Sequence, residues 1–325
     1  MRTNRYRLAQ TTALAAVVGV ALSGCTLNNA GDGDAVESGS IQKIDALEGA
    51  TIKVGSKDFD EQLLLGQIAI VALEAAGATT VDKTNIQGTN NTRQALTGGA
   101  IDLYWEYTGT GWISHLKNTK PIGDSEKQFD AVAKDDAANG VTWWDRAPAN
   151  NTYALAQTQA TLDEYGVKTL SDYAALANKN PAAATMCVES EFQSRDDGFP
   201  GVEKLYDFKL ASEYVHLLDT AVVYTELSKG GTCNFGEVFT TDGRVSSLKL
   251  NVVEDDKSFF PIYNPAISIR TDVTAKYPGI EALFKPIADK LTTETLSALN
   301  KRISVDGEKP RAVAEDWMRS EGFIK

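Results

Sequence analysis

Histidine is nearly absent from this 325-residue chain. Two copies, His115 and His216, cannot build a histidine-rich metal centre, and neither stands in a recognisable catalytic triad. Asp32 and Asp34 lack the rest of a calcium loop, so no metal site is expected. Three cysteines are too few for a disulfide scaffold. The basic residues are scattered, and 32 of them against 44 acidic residues leave a net charge of −12. A polyanion binder needs a concentrated basic surface, so nucleic acid is excluded as a partner. No P-loop, G-x-S-x-G, H-E-x-x-H or strand-following G-x-G-x-x-G occurs. The chain therefore offers no catalytic residue and no cofactor-binding motif, and it does not read as an enzyme.

What is present begins with an address. Arg2, Arg5 and Arg7 precede an apolar run from Ala13 to Leu22, which closes in Leu22-Ser23-Gly24-Cys25. That run is too short to span a bilayer, which takes about 20 residues, and it fits a secretory signal. Small residues directly before a cysteine look like a bacterial lipobox. Residues 1–24 are then a lipoprotein signal peptide and Cys25 takes the lipid. Removing them leaves 29 basic against 44 acidic residues, a net charge of −15. Residues 25–49 carry few large apolar side chains and read as a flexible tether. The protein is expected outside the cytoplasm, held to the membrane by its lipid anchor. With Cys25 consumed, Cys187 and Cys233 remain as an even pair in an oxidising compartment. They read either as a disulfide, worth roughly 4 kcal/mol in the chain-entropy model, or as two buried free thiols.

From Thr51 onward the pattern is strand, helix, strand, helix, strand. Thr51 to Ser56 reads as a strand, and Asp58 or Asp60 as the cap of a helix whose apolar stripe includes Leu64, Ile68 and Val71. Asn90 or Asn91 reads as the cap of a second helix, and Ile101 to Tyr107 as a further strand. This rhythm implies a parallel α/β sheet. It restarts after Tyr153, with His216 on an apparent helix. Two α/β lobes follow: 50–148 with 264–325, and the insert 149–263. Two chain crossings between them form a hinge, and a cleft at a hinge suits a small ligand.

Six separated segments place aromatics beside glycine, asparagine or a cation. They are Gly55-Ser56-Lys57-Asp58-Phe59, Leu103 to Thr110, Asn150 to Leu155, Glu191-Phe192-Gln193-Ser194-Arg195, Phe239 to Arg244 and Pro261 to Pro265. In this order they resemble the glycine betaine/choline/carnitine/proline substrate-binding proteins of ABC importers, from about Thr51 to the C-terminus. The resemblance implies a two-lobe, type II periplasmic-binding fold that closes on a quaternary ammonium solute, with an ABC permease and its ATPase subunits as partners. It also implies an aromatic box of Tyr107, Tyr153, Phe239 and Tyr263 around the trimethylammonium head, with Lys57, Thr110 and Arg195 on a carboxylate tail. A quaternary ammonium has no N–H to donate, so ring faces read it instead, each worth about 0.5–2 kcal/mol. Two positions depart from the pattern. Phe239 replaces a common tyrosine, and Asn151 stands where some relatives carry an acid. Trp105, Trp143 and Trp144 are expected to pack in the core. Two other readings stand beside this one: a sensory or structural lipoprotein with a vestigial cleft, and an extracytoplasmic enzyme acting on choline-like substrates.

Overall fold

A computed structural model gives the fold of residues 36–325. The expected signal peptide, the expected lipidation site Cys25 and the first part of the expected tether lie outside the described residues. The first of two sheets has strand order β2-β1-β3-β10-β4, formed by β1 (Thr51–Lys57), β2 (Thr79–Ile86), β3 (Leu103–Tyr107), β4 (Val141–Trp144) and β10 (Pro265–Arg270). The second has order β7-β6-β8-β5-β9, formed by β5 (Tyr153–Gln157), β6 (Met186–Val188), β7 (Val215–Leu217), β8 (Phe235–Phe239) and β9 (Asn251–Val253). The chain passes between the sheets twice, at 145–152 and 254–264.

Neither sheet is wholly parallel, contrary to the expectation. β1 runs parallel to β2 and β3, but β10 lies antiparallel to both β3 and β4. In the second sheet β8 is parallel to β6 and antiparallel to β5. Hydrophobic periodicity reports which face of a strand is buried and carries no information on direction, which the returning chain decides. His216 sits in β7 beside Cys187, not on a helix. Its neighbours Val215 and Leu217 are β-branched or apolar in a run too short to show a period.

The helix after β1, α1 (Asp60–Ala75), is buried along nearly its whole length, with Leu64, Leu65, Ile68, Val71 and Leu73 excluded from water. It packs between the first sheet and the C-terminal helix Pro310–Ser320. Trp105 and Trp144 pack in that core, and Trp143 packs on the opposite face of the sheet. The reading of 25–49 as tether requires correction for its second half. Ile41 and Leu47 are buried, and the amides of Gly39 and Ser40 donate to the carbonyls of Phe323 and Gly322. A sparse set of apolar residues orders this segment because the C-terminus supplies both a groove and backbone partners.

Cys187 of β6 and Cys233, just before β8, are joined by a disulfide with Cα atoms 5.7 Å apart. Both are buried, and the bond clamps two neighbouring strands of the second sheet. In the exported protein, alkylation should label neither thiol until a reductant is added, and peptide mapping should find them linked. Reduction should lower the melting temperature, since closing a 46-residue separation is worth roughly 4 kcal/mol in the chain-entropy model. Labelling of both without reductant would show the bond absent in solution.

Candidate functional site

The strand directions bring the sequence-predicted residues to one place. β1 and β3 are parallel and end at Lys57 and Tyr107, so both side chains stand at the carboxyl edge of the first sheet. β10 pairs Pro265 with Tyr107, which delivers Tyr263 to the same edge. In the second sheet Tyr153, the first residue of β5, lies directly opposite Phe239, the last of β8. β6 is parallel to β8, so the short helix Ser190–Ser194 and Arg195 follow at that end as well. Between the two edges lies a cavity of about 530 Å³, and Lys57, Tyr107, Thr110, Asn151, Tyr153, Arg195, Phe239 and Tyr263 all line it. Trp105, Trp143 and Trp144 are not on its wall.

The rings form a contiguous surface. Tyr153 lies 5.1 Å from Phe239 and 5.6 Å from Tyr263, the latter edge-on at 86°. Phe59 stacks on Phe239 at 5.3 Å and on Tyr107 at 6.2 Å, bridging two rings that come from different sheets. These spacings fall in the range where aromatic quadrupoles attract. Gly109 makes the arrangement possible: a Cβ there would lie 2.7 Å from the Tyr263 ring. Phe239 has no hydroxyl to satisfy, while the other three positions are tyrosines with different second duties. Tyr107 donates to Glu61 at 2.8 Å and Tyr263 to Asp197 at 2.7 Å. The Tyr153 hydroxyl has no hydrogen-bond partner among the described residues.

Each cation on the wall already carries a carboxylate. Lys57 Nζ lies 2.6 Å from Glu106, which is wholly buried and also receives the Tyr104 hydroxyl and the Tyr107 amide. His115 Nε2 stands 2.9 Å from the same carboxylate. Burial alone would raise the Glu106 carboxyl, but the Lys57 charge and the His115 contact outweigh it and hold it well below the usual range. Burial pushes the His115 imidazole down, against Glu106. Arg195 forks onto Asp197 through Nε and Nη2 at 2.8 and 2.6 Å. Its remaining edge meets Glu191 at 3.4 Å and Thr110 at 3.4 Å, and its guanidinium lies 5.6 Å from the Tyr153 ring centroid. Burial would raise the Asp197 carboxyl as well. The Arg195 fork and charge, with the Tyr263 hydroxyl, keep it below its ordinary value.

Glu191 also caps α2 (Thr89–Thr97) from the other side of the cavity, accepting from the Thr89 amide and, at 2.7 Å, from its hydroxyl. The expected caps Asn90 and Asn91 lie inside that helix, and its N-cap is Gly88, at φ 80°. The first helix departs in the same way. Its N-cap is Phe59, with no side-chain cap; Asp58 turns to the Gly88 amide and Asp60 to Arg244 at 3.5 Å.

Several residues of the site were given no role from sequence: Phe59, Glu61, Glu106 and Glu191; Asp197 was legible only as an ion-pair neighbour of Arg195, which it is. Phe59 stood inside a quoted segment but carried no role. The acids look like first-turn, strand-end or ion-pair residues unless their distant partners are known.

Two α/β layers facing each other across a residue-lined cavity define a solute-binding protein of the type II periplasmic class. Solved neighbours agree. Apo YehZ from Escherichia coli superposes with a TM-score of 0.62 at 32% identity, covering 85% of this chain and all of that one. A choline binding protein in complex with choline shares the fold at a TM-score of 0.60 and 16% identity, covering 83% and 88%. A family model described as the substrate binding domain of ABC-type glycine betaine transport system matches residues 50–320, and the chain belongs to that family. Among curated relatives it is 32% identical to a glycine-betaine-binding protein of Pseudomonas aeruginosa, over 84% of this chain and 89% of the relative. It is 33% identical to an ergothioneine transport permease/ergothioneine binding protein, EgtU, of Helicobacter pylori, over 86% of this chain and 49% of that longer protein.

Proposed function

We propose that the protein is the lipid-anchored, extracytoplasmic receptor of an ABC importer. It captures a quaternary ammonium solute such as glycine betaine, choline, carnitine or proline betaine, and delivers it to a permease driven by ATPase subunits. The observation that supports this most is the meeting of Tyr107, Tyr153, Phe239 and Tyr263 on one cavity wall, from four separate chain segments. A trimethylammonium head has no N–H hydrogen bonds to water to replace, and between such rings cation–π attraction at each face offsets the desolvation of its charge. Four faces at about 0.5–2 kcal/mol each account for much of a micromolar affinity, which is roughly 8 kcal/mol. Asn151, Lys57, Thr110 and Arg195 supply polar groups for the rest of the solute, and a lipid on Cys25 would keep the receptor beside its permease.

Titration calorimetry of the mature protein against that panel tests the reading. At least one member should bind at micromolar concentration, while glycine, which lacks the methylated head, should give no heat. No binding by any member, with no thermal stabilisation, would overturn it.

A further inference from the structure

Glu61 is the second residue of α1 and is buried, yet no cation among the described residues pairs with it. Four donors from four parts of the chain converge on its carboxylate instead. Oε1 accepts from the Tyr107 hydroxyl at 2.8 Å and from the Asn151 amide nitrogen at 2.8 Å. Oε2 accepts from the Thr241 hydroxyl at 2.6 Å and from the Asn300 amide nitrogen at 2.7 Å. Both asparagines aim nitrogen at Glu61 and leave their own carbonyl oxygens buried without a partner among the described residues. An amide gives up its oxygen this way only where the acceptor it serves dominates the local field. Thr241 lies two residues beyond Phe239, and neither it nor Asn300 is on the wall of the large cavity.

We infer that Glu61 is a positioning residue for the aromatic wall: one oxygen fixes the Tyr107 phenol at the edge of the first sheet, the other fixes the chain just after Phe239 at the edge of the second. A single carboxylate thereby sets the separation of two rings that come from different sheets. The inference rests on the solute reading above, because it matters only if those rings hold a ligand. Four accepted hydrogen bonds use the lone pairs of an ionised carboxylate fully, and a protonated one cannot accept them all.

Burial pushes the Glu61 carboxyl up, while the hydrogen bonds from Thr241, Asn300, Tyr107 and Asn151 act against that rise. The charged groups that share its small gap are Asp60, Asp242 and Arg244. Arg244 pairs with both acids, at 2.5 Å to Asp242 and 3.5 Å to Asp60. As pH falls through its raised value Glu61 takes up a proton, becomes a donor and releases part of the set.

The test is calorimetry on the mature protein with choline, which does not itself titrate, for the wild type, Glu61→Gln and Thr241→Val. Glu61→Gln should weaken choline by about tenfold. Thr241→Val removes one donor to Glu61 without touching the cavity wall, and should weaken choline by about threefold. Wild-type affinity should fall on acidification, and the Glu61→Gln profile should be flatter. Melting curves establish that each variant folds; if Glu61→Gln does not, Thr241→Val and the wild-type pH profile still decide. Unchanged choline affinity in folded Thr241→Val, or equal pH profiles for wild type and Glu61→Gln, overturns the inference and leaves the solute reading intact. Failure of the wild type to bind any quaternary ammonium solute removes both.

Discussion

Arg195→Ala is expected to weaken glycine betaine by roughly 2–5 kcal/mol, the range for truncating one partner of a buried charge pair. A betaine carboxylate entering the cavity must leave water, and an unpaired buried carboxylate is costly. On the proposed reading, Arg195 compensates for it together with Lys57 and Thr110, which line the same cavity. The guanidinium is not idle before the ligand arrives, however. It forks onto buried Asp197 and touches Glu191 and Thr110. Removing it leaves Asp197 with only the Tyr263 hydroxyl among its named side-chain donors, and deprives Glu191 of a nearby cation. Part of the loss therefore falls on every solute, choline included, through a poorer closed arrangement. The remainder falls on betaine alone, since choline carries no carboxylate. Calorimetry with both solutes on one preparation separates the two parts. A larger loss for glycine betaine assigns Arg195 to the tail; equal losses would assign it wholly to the scaffold.

The same contacts explain what the sequence could and could not reveal. Strand ends were legible because each carries a local signature, β-branched or aromatic residues running into glycine, asparagine or proline. The eight residues that the family resemblance placed around a solute line one cavity at those strand ends and the loops beside them. Most of their partners were not legible, because those pairings span a long stretch of chain; Asp197, two residues from Arg195, is the local exception. Glu61 meets Asn300 across 239 positions and Glu191 meets Thr89 across 102. Read alone, Glu61 is a first-turn acid suited to a helix N-terminus, and Asn90 and Asn91 are good local caps. The folded chain uses Glu191 as the cap, so the helix starts earlier than its own residues suggest. Strand direction failed for a related reason. β10 is antiparallel to β3 because the chain returns from the second sheet at that point, which no window of residues records. Lys57 and Arg195 were legible as cations in the right segments, and Asp197 beside Arg195 as an ion-pair partner, while Glu106, which neutralises Lys57 across 49 positions, emerged only with the fold.

Tyr153 gives the cleanest trial of the aromatic wall, because its ring and its hydroxyl have separable duties. The ring sits at the centre of the surface, touching Phe239, Tyr263 and Phe192 within 5.6 Å of centroid separation. The hydroxyl has no partner among the described residues, unlike those of Tyr107 and Tyr263. Tyr153→Ala should therefore weaken choline and glycine betaine alike by about 1–3 kcal/mol, through loss of a cation–π face and entry of water. Tyr153→Phe keeps the face and should bind within about twofold of wild type, a difference below roughly 0.5 kcal/mol. The conservative change at Tyr263 should cost more than that at Tyr153, since Tyr263→Phe withdraws a donor from buried Asp197 and so loosens the hold on Arg195. The order of losses, read by calorimetry on the three variants, is the diagnostic. If Tyr153→Phe lost as much as Tyr153→Ala, the hydroxyl and not the ring would be reading the solute, and a hydrogen-bonding ligand would replace the quaternary ammonium.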